Sequence, residues 1–241
     1  MNNPILSQTV GSFVVERPSR SKVFERFGLD YCCGGHKLLG EACAEGGLSA
    51  KAVIEALQQF DAAAPAEESA LWGDDIAALT DHIESTHHAY LHEELPRLSH
   101  LVDRVANAHG STDPRLLKLR IVWERFRGEM DLHMAKEEQI LFPLCRRLAA
   151  GASAASFHCG SVRGPVAVMR AEHDDHAVNL GIIKDLTDNF AVPEFACNTY
   201  RAMLDALKEL EQDLHRHIHK ENFILFPAAE AVESGAAAAA F

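Results

Sequence analysis

Residues 133–143 read HMAKEEQILFP, and residues 217–227 read HIHKENFILFP. Seven of the eleven positions agree, including a histidine and a glutamate spaced i, i+4 and a proline that closes each string. Residues four apart on an α-helix lie one above the other, so each string puts an imidazole and a carboxylate on one helical face. The upstream pattern says which face. Steps of three and four connect Leu116, Leu119, Trp123, Phe126, Met130, His133, Glu137 and Ile140, and likewise Leu207, Leu210, Leu214, His217, Glu221 and Ile224. That spacing marks a buried stripe. A buried carboxylate with no compensating charge costs on the order of several kcal/mol or gives up its charge. Neither stripe carries lysine or arginine, which leaves a metal cation as the compensating charge.

The two strings lie toward the ends of two of four long helical segments. Helix A starts near Asp74 and runs past Val105, bending at Pro96. Helix B starts at Asp113-Pro114, an N-cap followed by proline. Helix C runs from Gly164-Pro165 to about Leu186, and helix D starts near Pro193. Helices B and D should end or kink at Pro143 and Pro227, because a residue before proline avoids the helical region. No segment reads as a strand. The echo makes AB and CD one helix pair written twice. It predicts an all-α fold: an antiparallel up-down four-helix bundle over residues 74–232. Residues 1–60 read as a small helical domain, with one helix stopped at Gly28, a glycine turn through DYCCGG, and a second helix capped by Ser49. Residues 61–73 read as a linker, AAGASAASFHCGSVRG as a flexible crossing between B and C, and 233–241 as a disordered tail.

Helix C adds Val166, Met169, His173, His176, Leu180 and Ile183 to the buried set. In helix A the downstream stripe (Leu91, Leu95, Leu98, Val102, Val105) points back to His88, whereas the upstream stripe (Ile76, Leu79, Ile83) points to His87; periodicity leaves both open. Counted from the helix ends at ~1.5 Å per residue, His88, His133, His173 and His217 fall roughly 12 to 21 Å from the same end of the bundle. Four imidazoles and two carboxylates are too many for one tetrahedral zinc. They suit two metals bridged by the glutamates, and nitrogen and oxygen ligands in near-octahedral geometry point to iron or manganese. An oxo or hydroxo bridge brings each metal to about five ligands and leaves room for a small molecule. Zinc in the same cage stays an alternative. His176 is a seventh ligand or an orienting donor. His87, His92 and His219 are expected at the surface or orienting a ligand, and Met130 and Met169 in the core.

Acidic residues outnumber basic ones 35 to 23, a formal charge of -12, which argues against nucleic acid and anionic membranes as partners. No apolar run approaches a membrane span and the N-terminus lacks a signal layout, so the expected location is the cytoplasm. The six cysteines (32, 33, 43, 145, 159 and 197) include no zinc-type CxxC pair and read as thiols.

With these motifs, the four-helix segment resembles hemerythrin-like proteins. KEEQILFP, KENFILFP and DYCCGG together resemble the iron–sulfur cluster repair di-iron proteins (the RIC family), including nitric-oxide-binding members associated with denitrification. The resemblance covers nearly the whole chain. It implies a non-haem centre of two iron ions per chain, held by His88, His133, Glu137, His173, His217 and Glu221, with Glu137 and Glu221 as the carboxylate bridges. It thereby selects His88 over His87. It matches Cys32 and Cys33 to the family's cysteine pair, and it implies repair of iron–sulfur proteins damaged by oxidants or nitric oxide. His176 and the long B–C crossing with Cys159 depart from the family's pattern.

Adjacent cysteines in an extended segment point to opposite faces, so a disulfide between Cys32 and Cys33 is strained. Gly34 and Gly35 allow unusual backbone angles and close approach. The pair is a candidate thiol site for iron transfer or redox cycling. Three functions compete. Repair by iron delivery uses the cage and the cysteines. A buffer or sensor for nitric oxide or dioxygen uses the cage alone. Nitric oxide reduction ranks last, because no electron-entry partner or general acid is evident. A homodimer is left open by the sequence.

Overall fold

The computed structural model describes residues 4–63, 75–153 and 156–235. Among these the regular structure is helical, with an isolated bridge between Thr9 and Leu38 in place of any strand. The helices are α1 (Val10–Glu16), α2 (Ser21–Phe27), α3 (Leu39–Glu45), α4 (Ala50–Ala63), α5 (Ile76–Ile83), α6 (Ala89–His109), α7 (Arg115–Lys136), α8 (Phe142–Ala149), α9 (Arg163–Leu186), α10 (Asn198–Lys220) and α11 (Phe226–Ser234). Three π-helical turns, Glu84–His88, Glu137–Leu141 and Glu221–Leu225, join α5 to α6, α7 to α8 and α10 to α11. Two compact units result, one from Met1–Leu79, Leu148–Ser161 and His215–Phe241, the other from Thr80–Arg147 and Val162–Leu214. Asp74, the expected linker beyond Ala63 and the expected tail beyond Gly235 lie outside the described residues.

In the first unit, α2 stops at Gly28, which takes the left-handed conformation (φ 66°) that glycine adopts without penalty, and Ser49 caps α4. The sequence reading missed α1 and α3. α1 is rich in β-branched residues with modest helix propensity; it forms because Thr9 caps it and Val10, Phe13 and Val14 are buried. These residues share a core with Phe24, Tyr31, Leu39, Val53 and Ile218. In the DYCCGG loop the Asp30 carboxylate accepts the backbone N–H groups of Cys32 (2.9 Å), Cys33 (3.0 Å) and Gly34 (2.8 Å). Gly35 keeps an ordinary backbone angle and serves close approach instead. A Cβ there would stand 2.3 Å from the Tyr31 carbonyl oxygen and 2.7 Å from the Phe223 ring, and one at Gly11 would stand 2.4 Å from the same ring.

The second unit is built on the stripes read from the sequence. Leu91, Leu95, Leu98, Val102 and Val105 of α6 meet Leu116, Leu119, Trp123, Phe126 and Met130 of α7, Leu180 and Ile183 of α9, and Leu207, Leu210 and Leu214 of α10. Asp113 accepts the Arg115 N–H at the start of α7. The α10 helix begins at Asn198 rather than Pro193, after a turn in which Asp188, Asn189 and Phe190 all take positive φ.

The π turns shift the stripes. A π turn closes its hydrogen bonds over five residues and so inserts one extra residue per turn. Ile140, expected on the buried stripe, is 52% exposed, and the next residue, Leu141, is 1% exposed. Ile224 is likewise half-buried where Leu225 is buried. Phe142 donates its N–H to the Glu137 carbonyl, and Phe226 to that of Glu221. These two π turns thus end two residues ahead of a proline, which has no N–H and in α geometry clashes with the carbonyl four residues back. The helices therefore pass into a π turn and resume as α8 and α11 instead of ending at Pro143 and Pro227. Pro96 lies inside an uninterrupted α6.

Candidate metal centre

Glu137 opens the π turn after α7 and is fully buried in the second unit. Its Oε2 lies 3.3 Å from Nε2 of His88 and 3.4 Å from Nε2 of His133. Among the described residues, neither Glu137 oxygen accepts a hydrogen bond. Ligand atoms of His133, Glu137 and His173 all lie within 4.8 Å of one another, as do those of His88 and Glu137. His176, also buried, sets its ring edge-on to His133 (centroids 4.9 Å apart) and to Phe126 (5.8 Å). It packs beside His133.

Carboxylates orient the imidazoles. Nδ1 of His88 is 2.8 Å from Glu138, and Nδ1 of His133 is 3.0 Å from Glu172. An Nδ1–H donated to a carboxylate fixes the tautomer and leaves the lone pair on Nε2, the atom that faces Glu137. Lys136 also bonds Glu172. The His133 bond, with Lys136 adding to it against partial burial, pulls the Glu172 carboxyl down to about 2. Burial pushes the Glu138 carboxyl up, but bonds from His92 and His88 outweigh it and the net shift is downward. His92, largely exposed, thus touches the same carboxylate as His88 (3.0 Å). His87 is buried rather than at the surface, with Nδ1 2.9 Å from Asp213.

Glu138, Glu172 and Asp213 were not singled out by the sequence reading. The available signal was adjacency: Glu138 follows Glu137 and Glu172 precedes His173, so each carboxylate flanks a candidate ligand and reaches a histidine on another helix.

In the first unit, Nε2 of His217 lies 3.0 Å from Oε1 of Glu221, both buried, and Glu221 opens its own π turn. His219, also buried rather than at the surface, donates Nε2–H to the Gly11 carbonyl (3.0 Å), and burial holds its imidazole down to about 4. Tyr31 packs edge-on against the rings of His215 and His219. Asn222, next to Glu221, donates to the Cys32 carbonyl (3.3 Å). Cys32 is buried and Cys33 half-buried, both as thiols with their sulfurs 3.7 Å apart. The bond to Cys33, burial and nearby Asp30 together push the Cys32 thiol well above its ordinary value.

A dry carboxylate that accepts no hydrogen bond, faced by nitrogens whose lone pairs are fixed toward it, fits a cation bound through nitrogen and oxygen. The Hemerythrin HHE cation binding domain matches residues 79–229, and the Domain of Unknown function DUF542 matches residues 6–61. The iron-sulfur cluster repair proteins YtfE of Yersinia pestis (strain Pestoides F) and Yersinia pseudotuberculosis serotype O:1b (strain IP 31758) are each 35% identical to this chain over 226 residues, 92% of this chain and 96% of theirs.

Proposed function

The chain belongs to the iron–sulfur cluster repair family built on a hemerythrin HHE domain, and from that premise we propose that it repairs damaged iron–sulfur clusters in the oxidative and nitrosative stress response by delivering iron. The store is a pair of iron ions held by His88, His133, Glu137, His173, His217 and Glu221, with Glu137 and Glu221 as bridges. The observation that carries this reading is Glu137, buried, accepting no hydrogen bond among the described residues, and faced by Nε2 of His88 and His133. The repeat supports extending it to His217 and Glu221, which have the same spacing and the same π turn; the hemerythrin match spans all six positions.

Bound iron supplies an exchangeable, redox-active cation. The protein's own residues do the rest. Glu138 and Glu172 fix the histidine tautomers, and the apolar stripes exclude water. Cys32 and Cys33 act as the thiols that hand the metal on, soft ligands suited to iron once deprotonated. Asn222 holds their loop beside Glu221. In this reading the cysteine domain runs to the end of α4 at Ala63 rather than to residue 60, a linker follows to residue 73, and the metal bundle runs from 74 to the end of α11 at Ser234 rather than to 232, with a tail after it. The protein works in the cytoplasm on damaged iron–sulfur proteins; no helix among the described residues is long and apolar enough to cross a membrane.

The test is to mix iron-loaded protein with an apo or nitrosylated cluster protein and follow the target's recovery. Recovery is expected from the loaded form and from neither the metal-free form nor Glu137→Gln. No recovery, or equal recovery from the metal-free form, overturns the proposal. Retention of full repair by the Cys32→Ala, Cys33→Ala double variant removes the cysteines from it. With iron–nitrosyl bands on exposure to nitric oxide, that outcome moves the reading toward a gas-binding protein that uses the cage alone.

A further inference from the structure

A second reactive group lies at the start of α10, among residues the repair function does not use. Cys197 is exposed, and its sulfur is 3.2 Å from Nε2 of His109, the last residue of α6. The backbone N–H groups of Thr199 and Tyr200 lie in the first turn of the helix that Cys197 precedes. The His109 ring is held by Tyr200 (centroids 5.5 Å apart) and by Phe195 (6.2 Å), which also touch each other (6.3 Å). An imidazole nitrogen at hydrogen-bond distance and the positive end of a 23-residue helix thus meet at one sulfur, and both favour the thiolate over the thiol. The His109 bond, with the Tyr200 and Thr199 amides adding to it, brings the Cys197 thiol down to about 7. Other titratable groups at this end are Tyr200, pushed up by burial, Asp113, Arg115 and Asp188, where Arg115 pairs with both carboxylates, and Glu194 and Arg201, three residues before and four after Cys197. Cys159 provides a comparison within the same chain. It is also exposed, and its S–H donates to the Ser161 carbonyl at 3.2 Å.

We propose that Cys197, activated by His109, is a site of reversible S-thiolation by low-molecular-weight disulfides of the glutathione class. The Cys197 thiolate attacks one sulfur of the disulfide. A new S–S bond forms to the protein, the S–S bond of the reagent breaks, and the departing sulfur leaves with the electron pair and takes a proton from water. The exchange needs no other oxidant or reductant, and excess thiol reverses it.

An ordinary thiol with a pKa of about 8.5 is only about 3% ionised at pH 7, whereas one at about 7 is half ionised. The lower-pKa thiolate is intrinsically less nucleophilic by about fivefold, with a Brønsted coefficient of ~0.45. The net advantage is about threefold at pH 7 and about sixfold at pH 6. The experiment treats full-length, iron-loaded protein with oxidised glutathione from pH 6 to 9 and maps adducts by peptide mass spectrometry. Cys197 is expected to react ahead of Cys159, with a pH midpoint near 7. His109→Phe, which keeps the ring and removes the donor, is expected to move that midpoint up by a unit or more and to slow reaction at pH 6. Equal rates at Cys197 and Cys159, no Cys197 adduct, or a midpoint unchanged in His109→Phe overturns the proposal. None of these readouts depends on cluster repair.

Discussion

Oε2 of Glu137 lies 3.3 Å from Nε2 of His88, in a place where the carboxylate has no exposed surface and, among the described residues, accepts no hydrogen bond. Without a cation, burying that charge opposes folding. Glu137→Gln is therefore expected to have two opposite effects: loss of bound iron, and a metal-free protein more stable than metal-free wild type by about 1–3 kcal/mol. Elemental analysis and urea unfolding measure the pair. Removing iron from wild type by chelation should cost about 3–4 kcal/mol if the metal was present at 100 to 1,000 times its Kd. A Glu137→Gln protein that is less stable than wild type when both lack metal contradicts this account of the site.

The neighbours His87 and His88 separate the metal role from a packing role. His88 faces Glu137, whereas His87 bonds Asp213. His88→Ala is expected to lower the iron content. His87→Ala should keep the iron and lose about 1–3 kcal/mol of stability, because the mostly buried Asp213 carboxylate loses a partner. Equal iron loss in both variants would sink the distinction.

That pair also shows how far the sequence could be read. The stripe upstream of the site pointed to His87 and the stripe downstream to His88, a conflict of one residue. The π turn Glu84–His88 supplies that residue: four and five positions after Ile83, His87 and His88 are both buried, and His88 alone continues the downstream stripe. The same slip put Ile140 and Ile224 on the expected buried stripe where Leu141 and Leu225 belong. Long α-helical periodicity was legible because burial enforces it over many turns; a π insertion leaves no propensity signal, only a break in phase. α1 was illegible for a different reason, since its β-branched residues become helical through packing and the Thr9 cap. The carboxylates that orient His88 and His133 were hidden because each lies far in sequence from the histidine it holds.

The Cys32 thiol gives a pH dependence with a definite sign. Folding raises its pKa above the unfolded value of about 8.5, so the folded state keeps a proton that the unfolded state releases. The associated stability is fully present below about pH 8.5 and is lost as pH rises through the folded value. Wild type should weaken in alkali over that window, and Cys32→Ala should flatten the curve. Asp30→Ala, which removes the acceptor for three loop N–H groups, should destabilise the loop by about 1–3 kcal/mol and speed Cys32 alkylation at pH 8. Unchanged alkylation would mean that Asp30 does not hold the thiol closed.

Phe223 offers a test of how the cysteine loop is held, through two glycines that approach the same ring. The three atoms nearest a Cβ at Gly11 all belong to the Phe223 ring (2.4 Å at the closest), whereas one at Gly35 would meet both that ring (2.7 Å) and the Tyr31 carbonyl oxygen (2.3 Å). A side chain can swing away; a backbone carbonyl inside a tight loop cannot without moving the loop. Gly11→Ala and Gly35→Ala are each expected to cost about 1–3 kcal/mol in wild type. In a Phe223→Ala background the Gly11→Ala penalty should vanish or reverse, since alanine is favoured over glycine in a helix by about 1 kcal/mol. The Gly35→Ala penalty should persist there. Urea unfolding of the two double-mutant cycles reads the coupling directly. Equal rescue of both glycine variants would mean that the Phe223 ring alone requires glycine at position 35 and that the Tyr31 carbonyl yields to a side chain.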